Sequence, residues 1–155
     1  MSRRTTPDDR PVLGPANAAS IDAITRLLSA EGLPISDLYD HLDTFLVARL
    51  KDEIIGVVGV ELHGQTALLR SLCVAPAFRR QRIGQALLMA VEALARRLGV
   101  SELYLLTTSA ADYFERFGFR TLARELAPDP IRETAQFRTL CPGSAQLMKR
   151  SAASA

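Results

Sequence analysis

The sequence contains no tryptophan, two cysteines and only two lysines, and each scarcity removes a class of explanation. Cys73 and Cys141 stand far apart, with no second cysteine or histidine at ligand spacing. A disulfide framework is therefore excluded, no metal site is expected, and the pair reads as reduced, partly buried thiols. All but two of the nineteen basic residues are arginine, yet seventeen acidic residues reduce the net charge to +2. That balance is too weak to call for a nucleic-acid partner. No run approaches the ~18 apolar residues of a membrane span. Residues 1–10 carry arginines with no apolar core behind them, so no secretory signal is expected and the cytoplasm is the expected location. A length of 155 residues suits a single domain spanning 1–155, with 1–10 and 151–155 as loose tails. Such a domain buries roughly two thirds of its unfolded surface, enough to frame a cofactor-sized cleft without disulfides.

What is present is a succession of periodic segments. Residues 11–15 suit a short edge strand. After Asn17 and Ser20, both able to cap a helix, Ile21, Ile24, Leu27 and Leu28 recur at helical spacing until the stop Glu31-Gly32-Leu33-Pro34. A second short helical stretch covers 36–41. Residues 44–50, 54–62 and 67–74 then read as three strands on two short turns, an antiparallel meander. Gly56 and Gly59 weaken the middle strand and signal close packing against something above it. A helix over 83–98 places Leu87, Val91, Leu94, Ala95 and Leu98 on one face and Glu92 with Arg96 as an i, i+4 pair on the wet side, and Gly99 stops it. Residues 102–106 form an apolar strand, expected to lie parallel to 67–74 across that helix. A short helix over 110–117, a strand over 119–125, an irregular or briefly helical stretch over 128–137 and a last strand over 145–150 complete the order.

The chemistry concentrates at 72–88. A strand ends at Pro76, a loop carrying Arg79, Arg80 and Arg82 follows, and a helix begins around Ile83. Amides at a helix start lack intrahelical acceptors, and the helix dipole adds partial positive charge, so this turn suits a phosphate. Gly84 permits close approach to the backbone, and arginines fork onto phosphate oxygens. A merely solvated arginine loop is the competing explanation of the same charges. The arrangement resembles the acetyl-CoA site of the GNAT acetyltransferase superfamily, whose pattern at this turn is Arg/Gln-x-x-Gly-x-Gly/Ala. In register, Arg79 takes the first position and Gly84 the last, while Arg82 stands where the first glycine is usual; the literal match from Gln81 to Ala86 is shifted by two. Further on, Thr107-Thr108-Ser109-Ala110-Ala111-Asp112-Tyr113-Phe114-Glu115-Arg116-Phe117-Gly118-Phe119 is similar to the family's Asn-x-x-Ala-x-x-x-Tyr-x-x-x-Gly-Phe. Thr107 replaces the Asn and Phe114 the Tyr.

The resemblance, which covers roughly 21–150, implies the GNAT fold of the α/β (α+β) class: a mixed, mostly antiparallel sheet of six to seven strands, splayed between its central parallel strands and flanked by about four helices. It implies acetyl-CoA as cofactor and N-acetyl transfer by direct attack in a ternary complex. The backbone of Leu72, Cys73 and Val74 would hold the pantetheine arm. The amides of Arg79, Arg80, Gln81, Arg82, Ile83, Gly84 and Gln85 would hold the pyrophosphate, and Thr107, Ala110 and Phe114 would lie towards the thioester. With the usual tyrosine absent, Thr107, Thr108 or Ser109 would protonate the thiolate or orient water. Tyr113, one residue away on a helix, would point about 100° aside. Glu31, Glu61 and Asp112 are candidate bases.

For the acceptor, residues 68–72, 105–110, Gln136-Phe137 and 140–145 resemble a subgroup known as arsenic-resistance N-acetyltransferases. The Thr-Thr and aromatic-Gly-Phe features also resemble the acetyltransferase domain of N-acetylglutamate synthases. Both imply a small, glutamate-like amino acid or an arsenic-containing analogue. Arg70, Arg120 or Arg124 would clamp its carboxylate, with Glu31 nearby. Arsenic itself leaves no trace, because two isolated cysteines do not make an arsenite trap. The expected partner is thus a small-molecule amine, with no nucleic acid and no membrane, for a monomer or homodimer. A protein or peptide N-acetyltransferase and a non-catalytic acyl-CoA-binding module are the alternatives.

Overall fold

A computed structural model describes residues 10–141 and 143–152. Most of the expected tails, 1–9 and 153–155, and Pro142 lie outside the described residues. The strands are β1 (Val12–Pro15), β2 (Phe45–Leu50), β3 (Glu53–His63), β4 (Thr66–Val74), β5 (Glu102–Thr107), β6 (Arg120–Leu122) and β7 (Gln146–Ser151). The α-helices are α1 (Ile21–Ala30), α2 (Leu38–His41), α3 (Ile83–Arg97), α4 (Ala111–Glu115) and α5 (Asp129–Arg132). The sheet order is β1-β2-β3-β4-β5-β7-β6, mostly antiparallel with β4 and β5 as the parallel pair. Their register covers Thr66–Glu102, Ala67–Leu103 and Leu68–Tyr104, while β4 continues to Val74. Among the described residues no helix is long and apolar enough to cross a membrane.

Contacts divide the chain into two compact units. The first takes the described residues up to Gly59 together with Ser71–Val91, and the second takes Val60–Arg70 together with the described residues from Glu92 onward. In the first, the helical spacing of Ile21, Ile24 and Leu28 on α1 makes one stripe. It buries against Leu38, Phe45, Val47, Val57 and Cys73. Each fully buried aliphatic side chain contributes about 1.5–3 kcal/mol. Asn17 and Ser20 share a reciprocal cap at 3.2 Å on the 3₁₀ turn (Ala18–Ser20) that leads into α1, and Arg49 Nη2 donates to Ser20 Oγ at 3.1 Å. The two strand glycines serve opposite faces of β3. The Phe45 ring lies over Gly59, and Leu87 and Ile83 of α3 come down on Gly56.

In the second unit Leu68, Tyr104, Ala127, Ile131 and Leu147 form one buried cluster. Here several expectations change. Glu92 is not on the wet side: it is buried and pairs with Arg150 Nη2 at 3.0 Å, while Arg150 Nη1 donates to Phe117 O at 2.9 Å. The strand expected over 119–125 stops at Leu122. There Arg124 turns inward, donating to Ala145 O (2.9 Å) and Phe137 O (3.4 Å) with its guanidinium over the Phe137 ring. Residues 124–126 wind into a 3₁₀ turn and 136–140 into a π-turn. The expected loose tail also begins later than 151. Ser151 closes β7, and Ala152 is buried with its N–H donating to Ser101 O at 2.8 Å.

Candidate active site

The first unit carries the arginine-rich loop of 79–82. β4 ends at Val74, Ala75 N returns to Ile55 O at 2.8 Å, and Pro76–Phe78 make a 3₁₀ turn, with proline in the first turn where a missing N–H is harmless. Ala86 N is the first amide given back to α3, to Arg82 O at 3.1 Å, so the amides of 83–85 have no acceptor inside the helix. Arg80 and Arg82 are exposed and have no ion-pair partner among the described residues. Two uncommitted guanidiniums and a fifteen-residue helix start make a donor set that fits a diphosphate. Leu72 and Val74 are half-buried and Cys73 is buried, and Ser71, at φ 61, interrupts the regular pleat of β4 just before them.

The departure at Arg82 acquires a meaning in the backbone. Arg80 and Arg82 have φ of 67 and 63, in the left-handed region that favours glycine. The loop therefore has a glycine-like conformation without the glycine, at about 1 kcal/mol per residue. Arg82→Gly should relieve that cost where Arg82→Ala cannot, so the glycine variant should melt about 2–4 °C above the alanine variant. Equal melting temperatures would show that position 82 is unstrained.

Arg79, expected to face phosphate, is folded back. Its Nε donates to Val74 O at 3.1 Å and its Nη2 is bound to Glu31 Oε1. A cleft of about 1000 Å³ lies in this same unit. It is lined by Ala23, Arg26 and Leu27 of α1, by Lys51, Asp52 and Glu53 of the β2–β3 turn, and by Glu31, Cys73, Phe78 and Gln81. The cleft brings Glu31, Cys73 and Gln81 together. Arg26, Lys51, Asp52 and Glu53 were not foreseen, because on a helix surface and in a turn they carry no pattern distinguishing them from solvated charges. Cys73 Sγ donates to Leu27 O at 3.6 Å. Burial, and then the Glu31 charge, push its thiol above the ordinary range, with Arg79 pulling the other way, so it is a protonated packing residue.

The second unit holds the remaining candidates. Thr107 ends β5, and its Oγ1 accepts from Ala110 N at 3.0 Å, which turns the chain into α4. Thr108 and Ser109 are exposed. Phe114 is buried in an aromatic cluster, edge-on to Phe119 (5.7 Å) and Tyr113 (5.3 Å). Burial raises the Tyr113 phenol, opposed by Arg116, so that hydroxyl stays protonated at neutral pH. Arg70 is buried against Glu61 at 3.2 Å. Arg124 is committed to backbone carbonyls. Arg120 sits opposite Lys149, which faces Tyr104, so it lies three residues back from the Thr107 end of β5.

Residues 41–121, more than half of the chain, match the acetyltransferase (GNAT) domain model. An uncharacterized N-acetyltransferase of Chlorobaculum tepidum is 31% identical over 121 residues, covering 75% of this chain and 77% of the relative. An amino-acid acetyltransferase of Aeromonas salmonicida is 30% identical over 125 residues, covering 73% of this chain and 28% of the relative. Among solved structures, N-acetylglutamate synthase from Neisseria gonorrhoeae, complexed with coenzyme A and N-acetyl-glutamate, aligns with a TM-score of 0.82 at 18% identity. That alignment covers 99% of this chain but 37% of the synthase, and at such identity it speaks for the fold. The chain belongs to the GNAT acetyltransferase family and is an N-acetyltransferase whose donor is acetyl-CoA.

Proposed function

We propose that the acceptor is the α-amine of a small, glutamate-like amino acid, with arsenic-containing analogues falling in the same class. The observation that carries this is the 30% identity, over 73% of the chain, to a protein named for amino-acid acetylation. Acetyl-CoA supplies the acetyl group as an activated thioester. The chain's own part is positioning and charge. The amides of 83–85 with Arg80 and Arg82 hold the pyrophosphate, and the backbone of 72–74 lines the pantetheine arm. The backbone N–H near Val74 polarises the thioester oxygen.

The acid is assigned to the hydroxyl cluster at the end of β5. The Thr107 oxygen accepts a hydrogen bond and keeps its own proton to donate, and exposed Thr108 and Ser109 can orient water. Phe114 supports this segment by packing and contributes no proton. Arg70, with its guanidinium already held by Glu61, is assigned as a buried support rather than the carboxylate clamp.

The test is thiol release from acetyl-CoA across glutamate and its arsenic- and phosphorus-containing analogues, other amino acids, polyamines and short peptides. A glutamate-like compound should exceed peptides and polyamines at least about tenfold in kcat/KM, the discrimination that one carboxylate contact provides. Preferential turnover of peptides would replace this reading with that of a protein acetyltransferase.

A further inference from the structure

One guanidinium in the first unit occupies two groups that the donor's binding would also involve. Arg79 stands at the first position of the phosphate-loop pattern, yet its Nε caps Val74 O, the last carbonyl of β4, and its Nη2 is held by Glu31. Glu31 is the C-cap of α1. A carboxylate is unfavourable there, because the helix dipole places partial negative charge at that end. Its position is therefore not explained by the stability of α1, and the Arg79 guanidinium is what compensates it. The pair is open to water, with side chains 48% and 36% exposed, so its strength is low for an ion pair. A diphosphate presents more charge and more acceptor oxygens to the same fork, and it would displace a single carboxylate.

On the reading that this loop holds the pyrophosphate, we propose that Glu31 is a competitor built into the fold, a positioning residue that sets the donor's affinity by occupying Arg79. Without ligand, Glu31 neutralises the loop's first cation and Arg79 closes the end of β4. When phosphate takes the guanidinium, the Val74 carbonyl is uncapped for the pantetheine arm and the Glu31 carboxylate is returned to the cleft it lines. Donor affinity is thereby held below what the loop alone would give, which favours release of coenzyme A after transfer.

Calorimetric titration with coenzyme A itself tests this on the full chain, without reference to turnover. Glu31→Gln should tighten the dissociation constant about three- to fivefold, the magnitude of an exposed pair. Glu53→Gln, which removes another carboxylate of the same cleft, should leave it within about twofold. In an Arg79→Gln background the gain from Glu31→Gln should vanish, as a double-mutant cycle requires of a direct competitor. Equal effects of the two glutamine variants, or a gain that survives loss of Arg79, would overturn the competitor. Failure of coenzyme A to bind the unaltered chain would instead remove the phosphate-loop assignment on which it rests.

Discussion

Replacing Arg70 by alanine should cost about 3–5 kcal/mol of folding stability. The guanidinium is 1% exposed and lies 3.2 Å from Glu61 Oε2, on a carboxylate that is itself 3% exposed. His63 Nε2 stands 3.4 Å from the other oxygen, on a side chain that is partly exposed. Truncating Arg70 takes a guanidinium away from the buried Glu61 carboxylate, and removing one member of a buried pair costs far more than the pair was worth. For a domain whose total stability is about 5–15 kcal/mol, the loss is a large fraction. It should appear as a lower urea midpoint at an unchanged slope. Removing both charges with Arg70→Met and Glu61→Leu should recover most of it, because desolvation then disappears along with attraction. A loss below about 1 kcal/mol for the single variant would mean that the pair is hydrated after all.

The second large effect is expected at Gly59. A Cβ built there falls 2.2 Å from Phe45 Cε1 and 2.4 Å from Cζ. Phe45 is the direct cross-strand partner of Gly59 and is fully buried among Ile24, Leu28 and Val47, so its ring has nowhere to retreat. Gly59→Ala gains strand propensity worth about 0.5–1 kcal/mol, but overpacking a closed site costs about 3 kcal/mol. The clash decides the sign, and the melting temperature should fall by about 5–10 °C. Phe45→Leu alone should also destabilise, by roughly 1–2 kcal/mol. Combined with Gly59→Ala it should cost less than the sum, since the methyl then fills space that the ring vacated. Strict additivity would show that the ring and the glycine are not one packing unit.

The extent to which the chain could be read without coordinates follows from the range of its forces. Period alone located α1, α3 and β2 to β5 within one or two residues, because burial in each follows the local run of apolar residues. The failures are long-range. Glu92 looked like half of a surface pair with Arg96, since nothing local announces an arginine fifty-eight residues later. The strand from 119 was overextended because Arg124 belongs with Ala145 and Phe137, not with a ladder. At the candidate site the pattern singled out the loop but not the posture of its first arginine, whose partner Glu31 lies forty-eight residues earlier. Arg82 appeared to be a lost glycine, yet its left-handed backbone keeps the glycine's geometry, a property that no arginine advertises.

The sheet order has a consequence for how the molecule comes into being. β7 is inserted between β5 and β6, with Glu102 to Thr107 on one side and Arg120 to Leu122 on the other. Two strands made earlier on the ribosome must therefore wait for one made later: β6 needs residues up to Lys149 and β5 residues up to Ser151. During that interval the facing edges of β5 and β6 are open, which is when a nascent chain is most exposed to pairing with a neighbour. The first unit carries no such dependence, since its residues through Val91 are already outside. Synthesis from the N-terminus thus delivers the unit with the arginine-rich loop first and leaves the closing strand to finish the sheet.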